Sequence, residues 1–176
     1  AAEDALAELR RNLHGLSAYL AEGTGGTSWL VASRRTVSLA ASDALECDAA
    51  RFVALCRAGL APDGGAQAEV ALERAVALHA ADLLADWDDE WLEAPRRQTR
   101  ERLGEALAAL VRLSEARGEP RAALGHARRR GALDPLHESA HRSLMRLHAR
   151  AGDRAAALAQ FERLRASLRD ELDIEP

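Results

Sequence analysis

A mostly α-helical chain is what this sequence predicts: a stack of about three antiparallel helix pairs, preceded by one helix and one β-hairpin. Three observations lead there. The apolar fraction is 48% while aromatics are 3%, so the apolar content is carried by Ala and Leu, which favour helix over a β-sandwich. Residues 29–39 alternate as a pair of strands does, and nothing else in the chain gives a convincing strand signal. Finally, a segment with helical spacing recurs at an offset of 34 residues.

The elements follow in order. Leu6, Leu9, Leu13, Leu16 and Leu20 recur in steps of three and four, which makes one apolar helical stripe. Gly23 to Thr27 ends that helix; its GTGG run follows a helix and precedes a strand, the reverse of a phosphate loop, and reads as a linker. Trp29 alternates with Val31 and Val37 with Leu39 around Ser33-Arg34-Arg35, a hairpin with a basic tip. Asp48 can cap a helix carrying Phe52, Leu55, Cys56 and Leu60, which Ala61–Gly65 breaks. The next helix carries Val70, Leu72, Val76, Leu83 and Leu84. A turn at ADWDDEW follows, capped by Asp88 or Asp89, and then a long helix from about Glu90 to Arg117 with Pro95 near its start. Gly118 stops it, Pro120 starts the next, and Gly131 ends that one. Asp134-Pro135 caps and starts another helix, and Gly152-Asp153 closes it and caps the last.

The repeat pairs LVRLSEARGEPRAAL (Leu110–Leu124) with LMRLHARAGDRAAAL (Leu144–Leu158), without a gap. Leu110 and Leu144, Leu113 and Leu147, Gly118 and Gly152, and Leu124 and Leu158 correspond. Helix-turn-helix units of this period are the tetratricopeptide pattern. The Ala122-Ala123 and Ala156-Ala157 pairs let the second helix of each unit lie close to the first, and the glycines suit a left-handed helix end. ALERAV, Ala71–Val76, resembles the second helix of an earlier, degenerate unit. The pairs therefore fall at about 48–85, 89–131 and 135–171.

Candidate chemistry is sparse. All 24 basic residues are Arg, and the net charge of -4 argues against an overall nucleic-acid footprint while leaving a local basic surface open. Cys47 and Cys56 match no Cys-x-x-Cys site and point to nearly opposite sides of a helix; a reduced cytosolic protein is expected, with no membrane span. His137-Glu138-Ser139-Ala140-His141 matches the H-E-x-x-H zinc pattern. A metzincin third ligand is missing, since Leu147 stands where the further His belongs, and the repeat already accounts for the segment. Zinc hydrolysis is therefore set aside, and His137 and His141 are expected at the surface or between helices. No Ser/His/Asp or Cys/His arrangement stands out, so no enzyme activity, cofactor or metal is expected. Arg128-Arg129-Arg130 is expected to complement a helix dipole, and Trp87 and Trp91 to anchor packing between repeats.

The N-terminal helix is different. Arg10, Arg11, Asn12, His14 and Ser17 fall off its leucine stripe, and Asn and Arg are the side chains that read base edges. A helix followed by a hairpin with Arg34 and Arg35 at its tip fits the recognition helix and wing of a winged-helix DNA binder. An ordinary amphipathic helix plus hairpin is the plainer reading, and Glu3, Asp4 and Glu8 dilute the basic character.

Several stretches together resemble a known family. FVALCRAG, DLLADWDDEWLE, DPLHESAHRSLMRLHARAGD and the LDIEP ending resemble the bacterial transcriptional activator domain of the Streptomyces antibiotic regulatory protein type, over about Cys47 to Pro176. The segment from Glu8 to Leu39 resembles the end of the response-regulator-type winged helix that precedes this domain in such regulators. The resemblance implies two parts: 1–44, the C-terminal part of a winged-helix domain, and 45–176, a tetratricopeptide-like activator domain. It further implies a non-enzymatic, cytoplasmic regulator module. Its partners would be DNA through the full-length regulator and another protein, either the transcription machinery or a second copy in a homodimer. DNA contact would fall to Arg10, Arg11, Asn12, His14, Arg34 and Arg35, given a complete winged helix. A complete one needs strands and two helices before its recognition helix, so this chain is expected to be a fragment or to carry an incomplete DNA-binding module. A general tetratricopeptide scaffold with no DNA role is the other reading.

Overall fold

The computed structural model of the chain describes residues 2–23, 29–33, 36–40, 46–62 and 65–172. The chain divides into two compact units, residues 1–46 and 47–176. The described residues form seven α-helices and one two-stranded antiparallel sheet, the predicted mostly helical class. None of these helices is long and apolar enough to cross a membrane.

In the first unit, α1 spans Ala2–Gly23 and a hairpin pairs β1 (Leu30–Ala32) with β2 (Val37–Leu39). Its register sets Leu30 against Leu39 and Ala32 against Val37. Ser33 N–H donates to Thr36 O at 2.8 Å and closes the turn. Arg34 and Arg35, the expected tip, lie outside the described residues.

The second unit holds α2 (Asp48–Gly59), α3 (Gly65–Leu78), α4 (Glu93–Ala116), α5 (Pro120–Leu133), α6 (Glu138–Arg150) and α7 (Arg154–Leu172). Each packs on its chain neighbours, giving the expected pairs α2–α3, α4–α5 and α6–α7. A first core cluster joins Phe52 and Cys56 of α2, Leu72, Ala75 and Val76 of α3, and Leu103, Leu107 and Leu110 of α4. A second joins Val111 of α4 to Ala123 and Ala127 of α5 and to Leu144 and Leu147 of α6. Helix α4 thus contributes to both clusters from adjacent positions of its surface.

The repeat is visible in the helix ends. At the end of α4, Gly118 takes φ 72° while its N–H reaches Glu115 O at 3.1 Å and Glu119 N–H reaches Ser114 O at 2.9 Å. At the end of α6, Gly152 takes φ 80° with bonds to Ala149 O at 3.0 Å and from Asp153 to His148 O at 2.9 Å. Both are Schellman terminations, in which the left-handed residue redirects two N–H groups onto otherwise unpaired carbonyls. Asp153 then caps α7, its Oδ1 accepting from Ala156 N–H at 2.9 Å.

Several expected boundaries shift, each for a local reason. Asp48 is the first residue of α2 rather than its cap; Cys47 holds the cap position and Asp48 Oδ1 accepts from Ala49 N–H at 2.7 Å. Helix α3 ends at Leu78, so Leu83 and Leu84 belong to the connection after it, and Val70 is exposed. Asp89 does precede the turn Glu90–Leu92 that leads into α4, but makes no side-chain cap bond. Pro95 sits in the first turn of α4, where its missing N–H costs nothing. Gly131 does not end α5. It lies inside the helix, where an added Cβ would come within 3.2 Å of Leu144 Cδ1. The terminator is Asp134, which is extended (φ -146°, ψ 100°) as a residue before proline prefers. Pro135 therefore lies in a turn, not in α6. Asp134 O accepts from His137 N–H at 3.1 Å and its Oδ1 from Leu136 N–H at 2.9 Å, and α6 starts at Glu138.

Candidate interaction surfaces

On α1, Arg10, Arg11, Asn12 and His14 are all exposed. At about 100° per residue, Arg10, Arg11 and His14 share one arc beside the leucine stripe, and Asn12 lies on its other flank. The stripe is partly open: Leu6, Leu9 and Leu16 are half-exposed, while Leu13 and Leu20 are partly buried. Whether Arg34 and Arg35 approach this arc falls outside the described residues.

The HESAH motif comes apart as a metal site. His137 sits at the N-cap of α6, exposed and off the helical face, because the Asp134-Pro135 turn ends there. His141 faces inward and is buried against α7, where Gln160 Nε2 donates to its Nδ1 at 2.6 Å. Among the described residues no group of three His, Cys, Asp or Glu side chains could hold a metal ion.

With the amide as donor, the imidazole proton sits on Nε2, which is buried without a well-formed hydrogen bond. Burial pushes the His141 pKa down, and Arg163 adds to that; the Pro135 carbonyl and Asp134 act the other way. A pKa depressed in the fold means the unfolded chain binds more protons. The stability tied to neutral His141 is therefore complete above about pH 6.5 and is lost as pH falls through the folded value. Substituting His141→Asn should flatten the fall in Tm between pH 7 and pH 5 relative to the native chain. Parallel Tm–pH curves for the two proteins would sink this assignment.

Of Arg128, Arg129 and Arg130, expected together at a helix end, only Arg130 lies in the last turn of α5, and the three have different surroundings. Arg128 is exposed. Arg129 reaches back to α3 and donates to Val76 O at 2.8 Å and His79 O at 2.6 Å, satisfying carbonyls at that helix's C-terminus. Arg130 turns toward α6 and donates to Ser139 Oγ at 3.0 Å. Arg96, in the first turns of α4, holds the α3–α4 connection through Leu83 O, Leu84 O and Trp87 O. Nothing in local spacing distinguishes these arginines from the rest.

Trp87 and Trp91 are not packing anchors. They are 58% and 61% exposed, and the buried residue of that turn is Leu92. Leu84, at φ 48°, is exposed on the same Arg96-held connection. The acidic turn thus presents large apolar side chains to solvent on backbone fixed from α4. Elsewhere Cys56 is buried, which pushes its thiol up to about 11, so it is a core residue and no nucleophile.

The model of the bacterial transcriptional activator domain matches residues 47–176, the whole helical unit. The chain belongs to the bacterial transcriptional activator domain family. No curated protein matches it significantly. The matched region begins at Cys47, where the helical unit begins. This activator domain is a transcription-regulator module and its family is not one of enzymes.

Proposed function

We propose that this activator domain works by protein–protein contact, with the transcription machinery or a second copy. We further propose that it is coupled to DNA binding through a winged helix of which residues 1–44 form the C-terminal part, in a cytoplasmic regulator. The observation that carries the contact role is the exposed pair Trp87 and Trp91 on a connection fixed by Arg96. Tryptophan on pre-ordered backbone gives large contact area at little entropic cost, and such residues dominate interface energetics. The DNA role draws on the exposed arc of Arg10, Arg11 and His14, and on the partly open leucine stripe of α1, a surface that a complete winged helix covers.

The test uses the full-length regulator. Trp87→Ala and Trp91→Ala should each weaken self-association or binding to RNA polymerase roughly tenfold, with Tm unchanged. Arg10→Ala should weaken duplex binding and reduce the salt slope by about one. Native affinity for both protein partners in the Trp variants would end the contact reading, and an unaltered salt slope in Arg10→Ala would end the DNA reading.

A further inference from the structure

Two cavities of the helical unit meet at Arg112 and Arg130. The larger, about 900 Å³, is walled in part by Leu60, Leu133 and Pro135. The smaller, about 330 Å³, lies between α4, α5 and the start of α6, and is lined by Arg112, Arg130, Arg146, Ser139 and Ser143 around small apolar side chains. Ala108, Arg112 and Arg130 belong to both. Among the described residues, no carboxylate lines the smaller one.

Its charges are unevenly matched. Arg146 pairs with Glu115 at 2.8 Å, a carboxylate it shares with Arg150. Arg112 and Arg130 have no ion pair among the described residues. Arg130 touches no carboxylate, only Ser139 Oγ at 3.0 Å and His137 Nε2 at 3.4 Å, and its Nε is buried with no hydrogen-bond partner. Burial, and then the charge of Arg112, both disfavour the protonated guanidinium of Arg130. Two like charges, neither in an ion pair among the described residues and one of them partly desolvated, cost free energy that a bound anion would offset.

We propose that the smaller cavity binds the phosphate group of a small phosphate monoester, with the ester body in the larger cavity. Two free guanidinium groups match the charge of a phosphate dianion, where a single carboxylate would leave one uncompensated. Because Arg112 and Arg130 line both cavities, a phosphate held by them has its ester oxygen beside the larger space. That space has the size of a small-molecule site. Arg97, Arg100, Glu101, Glu105 and Asp134 also line it, a mixed set of donors and acceptors that suits a body carrying hydroxyl groups, as a sugar does.

The probes are inorganic phosphate and ribose 5-phosphate, each against sodium chloride at matched ionic strength, with the intact chain. Ribose 5-phosphate should raise Tm above the chloride control and broaden its own phosphorus resonance, at lower concentration than inorganic phosphate does. Arg112→Gln, an exposed position, should weaken this binding at least tenfold, as should Arg130→Gln. Arg128→Gln, which removes a nearby charge outside both cavities, should leave it unchanged. No shift beyond chloride in the native protein, or equal loss in Arg128→Gln and Arg112→Gln, would overturn the site. Equal affinity for the two probes would overturn the ester body.

Discussion

Replacing Arg96 by Met should destabilise the helical unit by about 2–4 kcal/mol, measured by urea unfolding. The Arg96 side chain is only 11% exposed, and its guanidinium donates to Leu83 O at 2.9 Å and to Leu84 O and Trp87 O at 2.6 Å each. Leu84 O also accepts from Trp87 N–H at 2.9 Å, but Leu83 O and Trp87 O belong to a connection without regular structure, so no ladder exists to take them back. Leu84 is held at φ 48°, a conformation that costs a leucine free energy and persists because its surroundings impose it. Met retains the length and packing of the stem, so the loss isolates the forked donors. Arg96→Lys should recover little, because one ammonium cannot reproduce a planar fork serving three acceptors. Amide exchange should accelerate in the 79–92 connection before it does in α4 itself. A loss below about 0.5 kcal/mol, the range of an ordinary surface substitution, would show that the connection is held by other contacts.

That connection also marks where sequence reading stops. The parts legible in advance are those written in local chemistry. Gly118 and Gly152 end helices through bonds that run back three and five positions, and the alternation around residues 29–39 marks a hairpin. It does not mark the register: Leu30 pairs with Leu39 and Val31 with Ser38, which sets Val31 and Leu39 on opposite faces. The 34-residue repeat follows from the same local rules applied twice, which is why the pairs α4–α5 and α6–α7 could be set out residue by residue. The misses are bonds between distant residues. Arg129 closes the end of α3 from 53 residues away, and nothing in RRR says which of its three members does so. Trp87 and Trp91 look like anchors because aromatics are usually buried, yet the small side chains of this Ala-rich stack leave Leu92 to fill the space there. His141 could be placed between helices, but Gln160 as its partner depends on where α7 lands. The arginine-lined cavities have the same character. Arg112, Arg130 and Arg146 converge only when α4, α5 and α6 are packed, and in a chain whose 24 basic residues are all Arg no spacing singles them out.

Leu107→Ala and Leu158→Ala should separate sharply, and the contrast tests what the repeat can and cannot say. Leu107 is fully buried in the cluster joining α2, α3 and α4. Its truncation should cost about 2–5 kcal/mol, since the lost transfer energy is joined by a cavity that rigid neighbouring helices cannot close. With a urea m-value of about 2 kcal/mol/M, the midpoint should fall by roughly 1–2.5 M with m unchanged. Leu158 corresponds in the repeat to Leu124, which packs against the second cluster. On that correspondence alone, truncating Leu158 should be costly too. The structure places it 67% exposed, because the buried face of α7 is carried by Gln160, Leu164 and Leu168 instead. Its loss should therefore stay within about 0.5 kcal/mol. In a stack where each helix pair contacts only its neighbours, a repeat position is buried only if a following element covers it. Among the described residues nothing covers Leu158. A large effect at Leu158, or a small one at Leu107, would mean that the helices are packed in a different order from the one described.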